Sequence, residues 1–259
     1  MKYKDFEGSV EELIRLKLKE VEKSENVKIL HAIESGSRAW GFASPDSDYD
    51  VRFIYIRPKE YYLKLEETKD IIEWELDDTL DINGWDIKKV LRLFHKSNST
   101  LFEWANSPII YQTTDEWKKI YEIAKEYFSV KSGMYSYYGT AKSNFYEYLQ
   151  DDYVKYKKYF YVIRPILACK WIEERKCPPP VLFSKLVENI LEEHMKPIIK
   201  ELLEVKVTMK ETDKGKKIVE LNNYIENKLD YYKDYITNQE DDREPSWDRL
   251  NKLFLSSML

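Results

Sequence analysis

Two neighbouring stretches concentrate the side chains that can do chemistry. They are Gly36-Ser37-Arg38-Ala39-Trp40-Gly41 and Pro45-Asp46-Ser47-Asp48-Tyr49-Asp50. Asp48 and Asp50 stand two apart, and in a strand such residues face the same way, roughly 7 Å from each other. Two carboxylates on one face repel unless a cation lies between them. An Asp-x-Asp running into the apolar Val51, Phe53, Ile54 and Ile56 therefore points to a divalent-metal clamp. Upstream, Gly36-Ser37 at a strand-to-helix turn exposes backbone N–H groups and a hydroxyl. Those suit a phosphate, because a helix N-terminus carries partial positive charge. Either piece alone is common, and an isolated Asp-x-Asp reads as a solvated turn. Their order and spacing, each at a strand end, is what carries weight.

These residues need elements to hold them. Val10, Leu13, Ile14, Leu18 and Val21 recur at helical spacing, with Ser9 as N-cap and Glu12 three residues on. Val27–Ile33 reads as a strand that ends in Ser35-Gly36-Ser37. Residues 38–47 read as a helix start followed by a loop. Val51–Ile56 is a second strand, stopped by Pro58. Asp70–Leu76 and Leu80–Trp85 are further strands around an Asp77-Asp78-Thr79 turn. Asp86 caps a helix through His95, Leu101–Ala105 is a short helix, and Ile109–Tyr111 is a last strand or connector. After Thr113-Thr114-Asp115 the pattern is helical to the end. Its helices include Tyr153–Glu174 and Leu182–His194, separated by Pro178-Pro179-Pro180. The expected architecture is α+β: a mixed sheet flanked by helices over residues 1–112, then an all-α domain over residues 113–259.

Composition bounds the rest. The chain has 259 residues, 43% apolar and 34% charged, which is a globular and not a disordered composition. No apolar run reaches 18 residues, so no membrane partner is expected. The start MKYKD lacks the apolar core of a signal peptide. Cys169 and Cys177 make no disulfide framework and read as reduced thiols, which fits a cytoplasmic protein. With three His and two Cys a zinc site is not expected, so any metal is held by carboxylates and is Mg²⁺ or Mn²⁺. The net charge of −5 argues against a generic DNA-coating protein. The charge is unevenly placed. Residues 1–112 carry 17 Lys+Arg and 22 Asp+Glu, whereas residues 130–175 carry 8 and 5 together with 9 of the 21 Tyr. Aromatic faces stack bases and cations meet phosphates, so that stretch favours RNA among nucleic-acid partners, although Tyr also fills helical cores.

The sequence resembles the polymerase β-like nucleotidyltransferases through the order strand, Gly-Ser, about ten residues, Asp-x-Asp, strand. Glu34–Gly41, Asp46–Ile54, Asp81-Ile82-Asn83-Gly84-Trp85-Asp86 and Ser107-Pro108-Ile109-Ile110-Tyr111 resemble one subgroup, the RNA-ligase-associated members linked to RNA repair. The likeness extends into Lys157–Pro165 and runs to about residue 195. The resemblance implies a nucleotidyltransferase domain, a nucleoside triphosphate substrate, two metal ions and a third carboxylate from a neighbouring strand. Asp81, inside the apolar run Leu80–Trp85, is the preferred third ligand; buried there, it needs a metal or proton partner. Asp86 is the alternative, already explained as an N-cap.

In that reading Asp48 and Asp50 bind both ions and Asp81 binds the catalytic one. Two ions about 4 Å apart stabilise the attacking and leaving oxygens of an in-line displacement. Asp81 also helps to deprotonate the attacking hydroxyl. Gly36, Ser37 and Arg38 take the β/γ-phosphates; for Arg38 a plain surface role weighs equally. Arg52, on the face of Asp48 and Asp50, contacts phosphate or pairs with a carboxylate. Trp40 and Tyr49 read as packing. Arg164 sits in an apolar helix between Ile163 and Pro165, so it needs an anion, and a bound nucleotide supplies one. Lys157, Lys158 and Tyr161 lie one turn back, with a solvated face as their plain reading. His31, His95 and His194 read as structural. The acceptor is an RNA end, a protein side chain or a small molecule, with an RNA ligase as a partner by pathway. The rival reading is a catalytically idle nucleotide-binding or antitoxin-like protein, and it predicts the loss of one of the three Asp.

Overall fold

The computed structural model describes residues 6–44, 47–74, 79–208 and 214–258. Pro45, Asp46, Asp77 and Asp78 of the expected loop and turn lie outside the described residues. The chain divides into two compact units: residues 1–127 with 244–259, and residues 128–243.

The first unit opens with α1 (Val10–Glu25), closed at its start by a reciprocal capping box between Ser9 and Glu12. Then follow β1 (Lys28–Glu34), α2 (Gly36–Trp40), β2 (Tyr49–Ile56) and α3 (Lys59–Tyr62). β3 (Ile71–Glu73), β4 (Leu80–Asp86), α4 (Ile87–His95), α5 (Ser99–Ala105), β5 (Ile110–Thr113) and α6 (Asp115–Ala124) complete the run. The five strands form one mixed sheet in the order β3-β4-β2-β1-β5. β1 pairs antiparallel with β2 and β5, β3 antiparallel with β4, and β2 parallel with β4. Alternation along the strands gives the sheet two faces. Leu13, Ile14, Leu18 and Val21 of α1 bury Val51, Phe53, Tyr55, Ile82 and Tyr111 on one of them. Asp50 and Arg52 stand on the other.

The second unit holds α7 (Val130–Tyr148), β6 (Tyr153–Lys155), α8 (Lys157–Arg175), α9 (Phe183–Ile190), α10 (Lys196–Thr208), β7 (Lys214–Lys216) and α11 (Val219–Thr237). It is helical, as the sequence leads one to expect, except for the small antiparallel sheet of β6 and β7. That pairing takes Tyr153–Lys155 out of the expected helix, so α8 starts at Lys157 and runs through Pro165. The last helix, α12 (Asp248–Ser257), belongs to the first unit. Phe254 packs edge-on against Tyr62 at 5.2 Å, and Tyr127 donates to the Ser246 carbonyl at 3.0 Å. The units therefore divide at 127/128 rather than at 112/113, because α6 packs with α4 and α12 in the first unit. Among the described residues no helix is long and apolar enough to cross a membrane. Cys169 is buried and Cys177 exposed, both as free thiols.

Candidate active site

The site begins at the turn after β1. Gly36 has φ +61°, a left-handed conformation that glycine adopts without steric cost. A Cβ on Gly36 would lie 2.2 Å from Asp50 Oδ2, so the turn lies directly against that carboxylate. The Ser35 N–H donates to the Asp50 carbonyl at 2.8 Å and fixes the approach. Arg38 spans the loop to β2. Its Nε donates to the Asp48 carbonyl at 3.0 Å and its Nη2 to the Ser47 carbonyl at 2.6 Å, with the guanidinium 3.7 Å over the Tyr49 ring. Arg38 thus ties the Gly-Ser turn to the Asp-x-Asp segment and is more than a surface cation. Trp40 packs on Phe42 at 5.6 Å, and Tyr49 packs toward α1.

The parallel register places Asp50 opposite Asp81 and Arg52 opposite Asn83. Arg52 Nη2 reaches both carboxylates, Asp50 Oδ1 at 3.0 Å and Asp81 Oδ2 at 2.7 Å. Its Nη1 donates to the carbonyls of Val51 and Asp81, each at 3.1 Å. Burial raises the Asp50 carboxyl above the usual range; Arg52 opposes the shift, while Asp81 and Asp48 add to it. The expected face-sharing pair Asp48 and Asp50 is modified. β2 starts at Tyr49, so Asp48 precedes the strand and is exposed, and the convergent pair is Asp50 with Asp81.

Asp86 stands elsewhere. It is five residues beyond Asp81 on β4, roughly 16 Å along the strand. It caps α4 by accepting from the Lys88 N–H, and it accepts from the Tyr62 hydroxyl, both at 2.8 Å. Burial raises its pKa to about 6. It therefore has structural work at the opposite end of the strand.

Glu34 is the residue whose role sequence reasoning missed. It is fully buried at the end of β1. Its Oε1 accepts the Asp50 N–H at 2.9 Å and its Oε2 accepts the Tyr111 hydroxyl at 2.5 Å, while Ser107 Oγ donates to its carbonyl at 2.6 Å. Burial, against the pull of those hydrogen bonds, raises its carboxyl to about 7. Glu34, Ser107 and Tyr111 all lie in the stretches that carry the family resemblance, but nothing in their spacing joins them. On the α1 side, Glu34, Arg38, Tyr49 and Tyr111 border a cleft of about 550 Å³.

The remaining candidates have local partners. Ser37 sits in the first turn of α2, half-buried, with its carbonyl accepting the Phe42 N–H at 3.2 Å. Arg164 is buried in the second unit, where its Nε donates to the Val181 carbonyl at 3.3 Å. Lys158 lies 3.8 Å over the Tyr148 ring. His31 stacks on Trp117 at 5.0 Å and His95 on Trp247 at 3.6 Å, as structural histidines do.

The donor set suits a hard cation. Asp50 and Asp81 offer carboxylate oxygens across one strand pair and already share a cationic group, so their chemistry fits Mg²⁺ or Mn²⁺. Among the described residues no group of three or more His, Cys, Asp or Glu is arranged to hold a metal. Two of the three expected ligands, Asp50 and Asp81, converge, and the third, Asp48, is exposed ahead of β2.

A sequence model of the RlaP family, the RNA repair pathway DNA polymerase beta family, matches residues 10–256. The chain belongs to that family. The polymerase β-like assignment thus extends through the last sixty residues, where the sequence shows no named likeness. The chain is also 42% identical over 245 residues to "Uncharacterized protein YcgL" of Bacillus subtilis (strain 168), covering 93% of this chain and 94% of that one. A nucleotidyltransferase-like protein from Exiguobacterium sibiricum 255-15 aligns over 96% of this chain and 89% of its own, at 12% identity and a TM-score of 0.32.

Proposed function

We propose that this RlaP-family protein is a divalent-metal-dependent nucleotidyltransferase that moves an NMP from an NTP to a hydroxyl, with an RNA end as acceptor. The observation that carries the reading is the convergence of Asp50 and Asp81 beneath the Gly36 turn. Asp48, Asp50 and Asp81 hold the metal, which when bound supplies charge stabilisation at the attacking and leaving oxygens. Gly36, Ser37 and Arg38 bind the triphosphate. Glu34 orients Asp50 through its backbone N–H. The acceptor oxygen bonds to the α-phosphorus, the bond from that phosphorus to the bridging oxygen breaks, and pyrophosphate leaves. Asp81 takes the hydroxyl proton. An RNA acceptor is favoured by the RNA-repair description of the family and by the Tyr- and Lys-rich 130–175 stretch. On the family description an RNA ligase is a partner by pathway, and the free thiols of Cys169 and Cys177 favour the cytoplasm as the site of action.

The alternative of an idle nucleotide-binding or antitoxin-like protein is disfavoured because all three Asp positions are filled. The deciding experiment supplies labelled ATP, CTP, GTP and UTP with Mg²⁺ and RNAs of defined ends. Label moving to an RNA end, and not in Asp50→Asn, supports the proposal. Nucleotide binding without transfer to any acceptor supports the idle reading.

A further inference from the structure

The small sheet of β6 and β7 carries a charge pattern that its packing does not explain. Lys155 stands directly opposite Lys214, and Tyr153 opposite Lys216. Opposed residues of an antiparallel pair share a face, and so do residues two apart along a strand. One face therefore presents Tyr153, Lys155, Lys214 and Lys216 together. Tyr153 is 63% exposed, and Lys214 and Lys216 are exposed beside it. Like charges directly opposite one another weaken a strand pair, and among the described residues no carboxylate pairs with any of these three lysines. The other face is held firmly. Val154 is buried there, and a Cβ on Gly215 would lie 2.4 Å from the Tyr156 ring. The Tyr156 hydroxyl donates to the Lys216 carbonyl at 3.0 Å, and the Lys217 N–H donates to the Asp152 carbonyl at 2.8 Å. Residues 151–158 and 214–217 hold six Lys against two Asp, in a chain whose net charge is −5.

We propose that this outward face of the β6–β7 ribbon binds single-stranded RNA, with the lysines on its phosphates and a base stacked on Tyr153. The inference rests on the RNA-acceptor reading and names the surface that holds the acceptor strand. A phosphate between Lys155 and Lys214 turns their repulsion into attraction to a shared anion, and a polyanion reaches Lys216 in the same row. The aromatic ring in that row offers a face for a base. Cations tracking the backbone beside a stacking ring are the usual means of holding a single strand. A duplex keeps its bases stacked inside, out of reach of Tyr153. An anionic lipid surface calls for apolar side chains beside the lysines, and this face offers one tyrosine. Phosphate contacts and stacking carry little base identity, so binding is indifferent to sequence.

The test follows the fluorescence anisotropy of a labelled, unstructured RNA oligonucleotide titrated with the full chain at several salt concentrations, with no transfer step. Each phosphate contact on a single strand contributes about 0.7 to the slope of log affinity against log salt. Lys155→Gln combined with Lys214→Gln should weaken binding and make that slope shallower by about 1.4. Tyr153→Ala should weaken binding several-fold and leave the slope unchanged, whereas Tyr153→Phe should bind as the unmodified protein does. Lys214→Glu creates a cross-strand ion pair with Lys155. It should melt no lower than the unmodified protein and still bind RNA less well, which separates lost binding from lost folding. Lys19→Gln, on α1 of the first unit, should change neither. Unaltered affinity and slope in the double Lys variant and in Tyr153→Ala overturn the proposal, and label transferred to RNA alongside that result leaves the RNA-acceptor reading standing. Loss of binding to phosphatidylserine vesicles in these variants, with RNA binding kept, also overturns it in favour of a lipid surface. An unmodified protein that holds no RNA, and transfers label only to other acceptors, overturns the proposal and the RNA-acceptor reading together.

Discussion

At the scale of single residues, the site is governed by charge neutralisation. Asp50 and Asp81 are tied by one guanidinium, and Asp48 is exposed beside them. Removing one carboxylate leaves Arg52 with the other. We therefore expect Asp50→Asn and Asp81→Asn each to lower NMP transfer by orders of magnitude while moving the melting temperature little. From the sequence alone, removing a charge from a self-repelling pair is expected to raise metal-free stability. With Arg52 in place that repulsion is already relieved, and no rise should be seen. Near-normal turnover in either variant, measured with Mg²⁺, would remove that residue from the metal site. Asp86→Ala should behave in the opposite way. It loses an N-cap worth about 1 kcal/mol and leaves the Tyr62 hydroxyl without its acceptor, so thermal unfolding should show a loss of about 2 kcal/mol with transfer largely kept.

At the scale of elements, the β1–α2 turn and the start of β2 act as one piece. Gly36 supplies the positive φ, Ser35 holds the Asp50 carbonyl, and Arg38 closes the loop over Tyr49. Gly36→Ala should cost about 1–2 kcal/mol for the left-handed backbone. Its larger effect should be on function, because the new methyl group displaces the Asp50 carboxylate. A loss of Mn²⁺ affinity well beyond the loss of stability is the expected result. A variant that binds Mn²⁺ normally would show that the turn and the carboxylate move independently. Glu34 joins β1, β2 and β5 in the same way, through Asp50, Tyr111 and Ser107.

At the scale of the whole molecule, each unit carries its own polar tie. In the second unit Glu192 accepts from Lys170, Lys228 and Tyr224, at 2.8, 2.8 and 2.7 Å, joining α8 to α11. Burial opposes ionisation, but these three bonds together lower its pKa to about 2 from 4.5. A depressed carboxylate pKa means that the folded state binds the proton less readily than the unfolded one. Its stabilisation is complete above about 4.5 and is lost as pH falls toward 2. Thermal melts of the unmodified protein and Glu192→Gln should differ at pH 7 and converge between pH 4.5 and 2. A constant gap across that range would remove Glu192 from the stability of the unit. The first unit is fastened by α12, where Arg249 pairs with Glu126 and Phe254 meets Tyr62.

Periodicity and turn chemistry determined most elements of the first unit. The capping box at Ser9, the strand into Gly36, the strand Leu80–Trp85 and the Asp86 cap all follow from local backbone preferences, which neighbouring residues set. The Gly-Ser and Asp-x-Asp stretches made the family legible for the same reason, since each motif is short and contiguous. What the tertiary structure decided depends on strand register. Asp50 meets Asp81, Arg52 bridges them, and Asp86 is carried to the far end of β4, because β2 and β4 run parallel in one particular alignment. Glu34 finds Ser107 and Tyr111 across 73 and 77 residues of chain. The return of α12 to the first unit and the pairing of β6 with β7 are long-range as well. Local sequence fixes dihedral angles and the face a side chain takes along its own element. Which other element supplies its partner is settled only when the sheet and the helices pack.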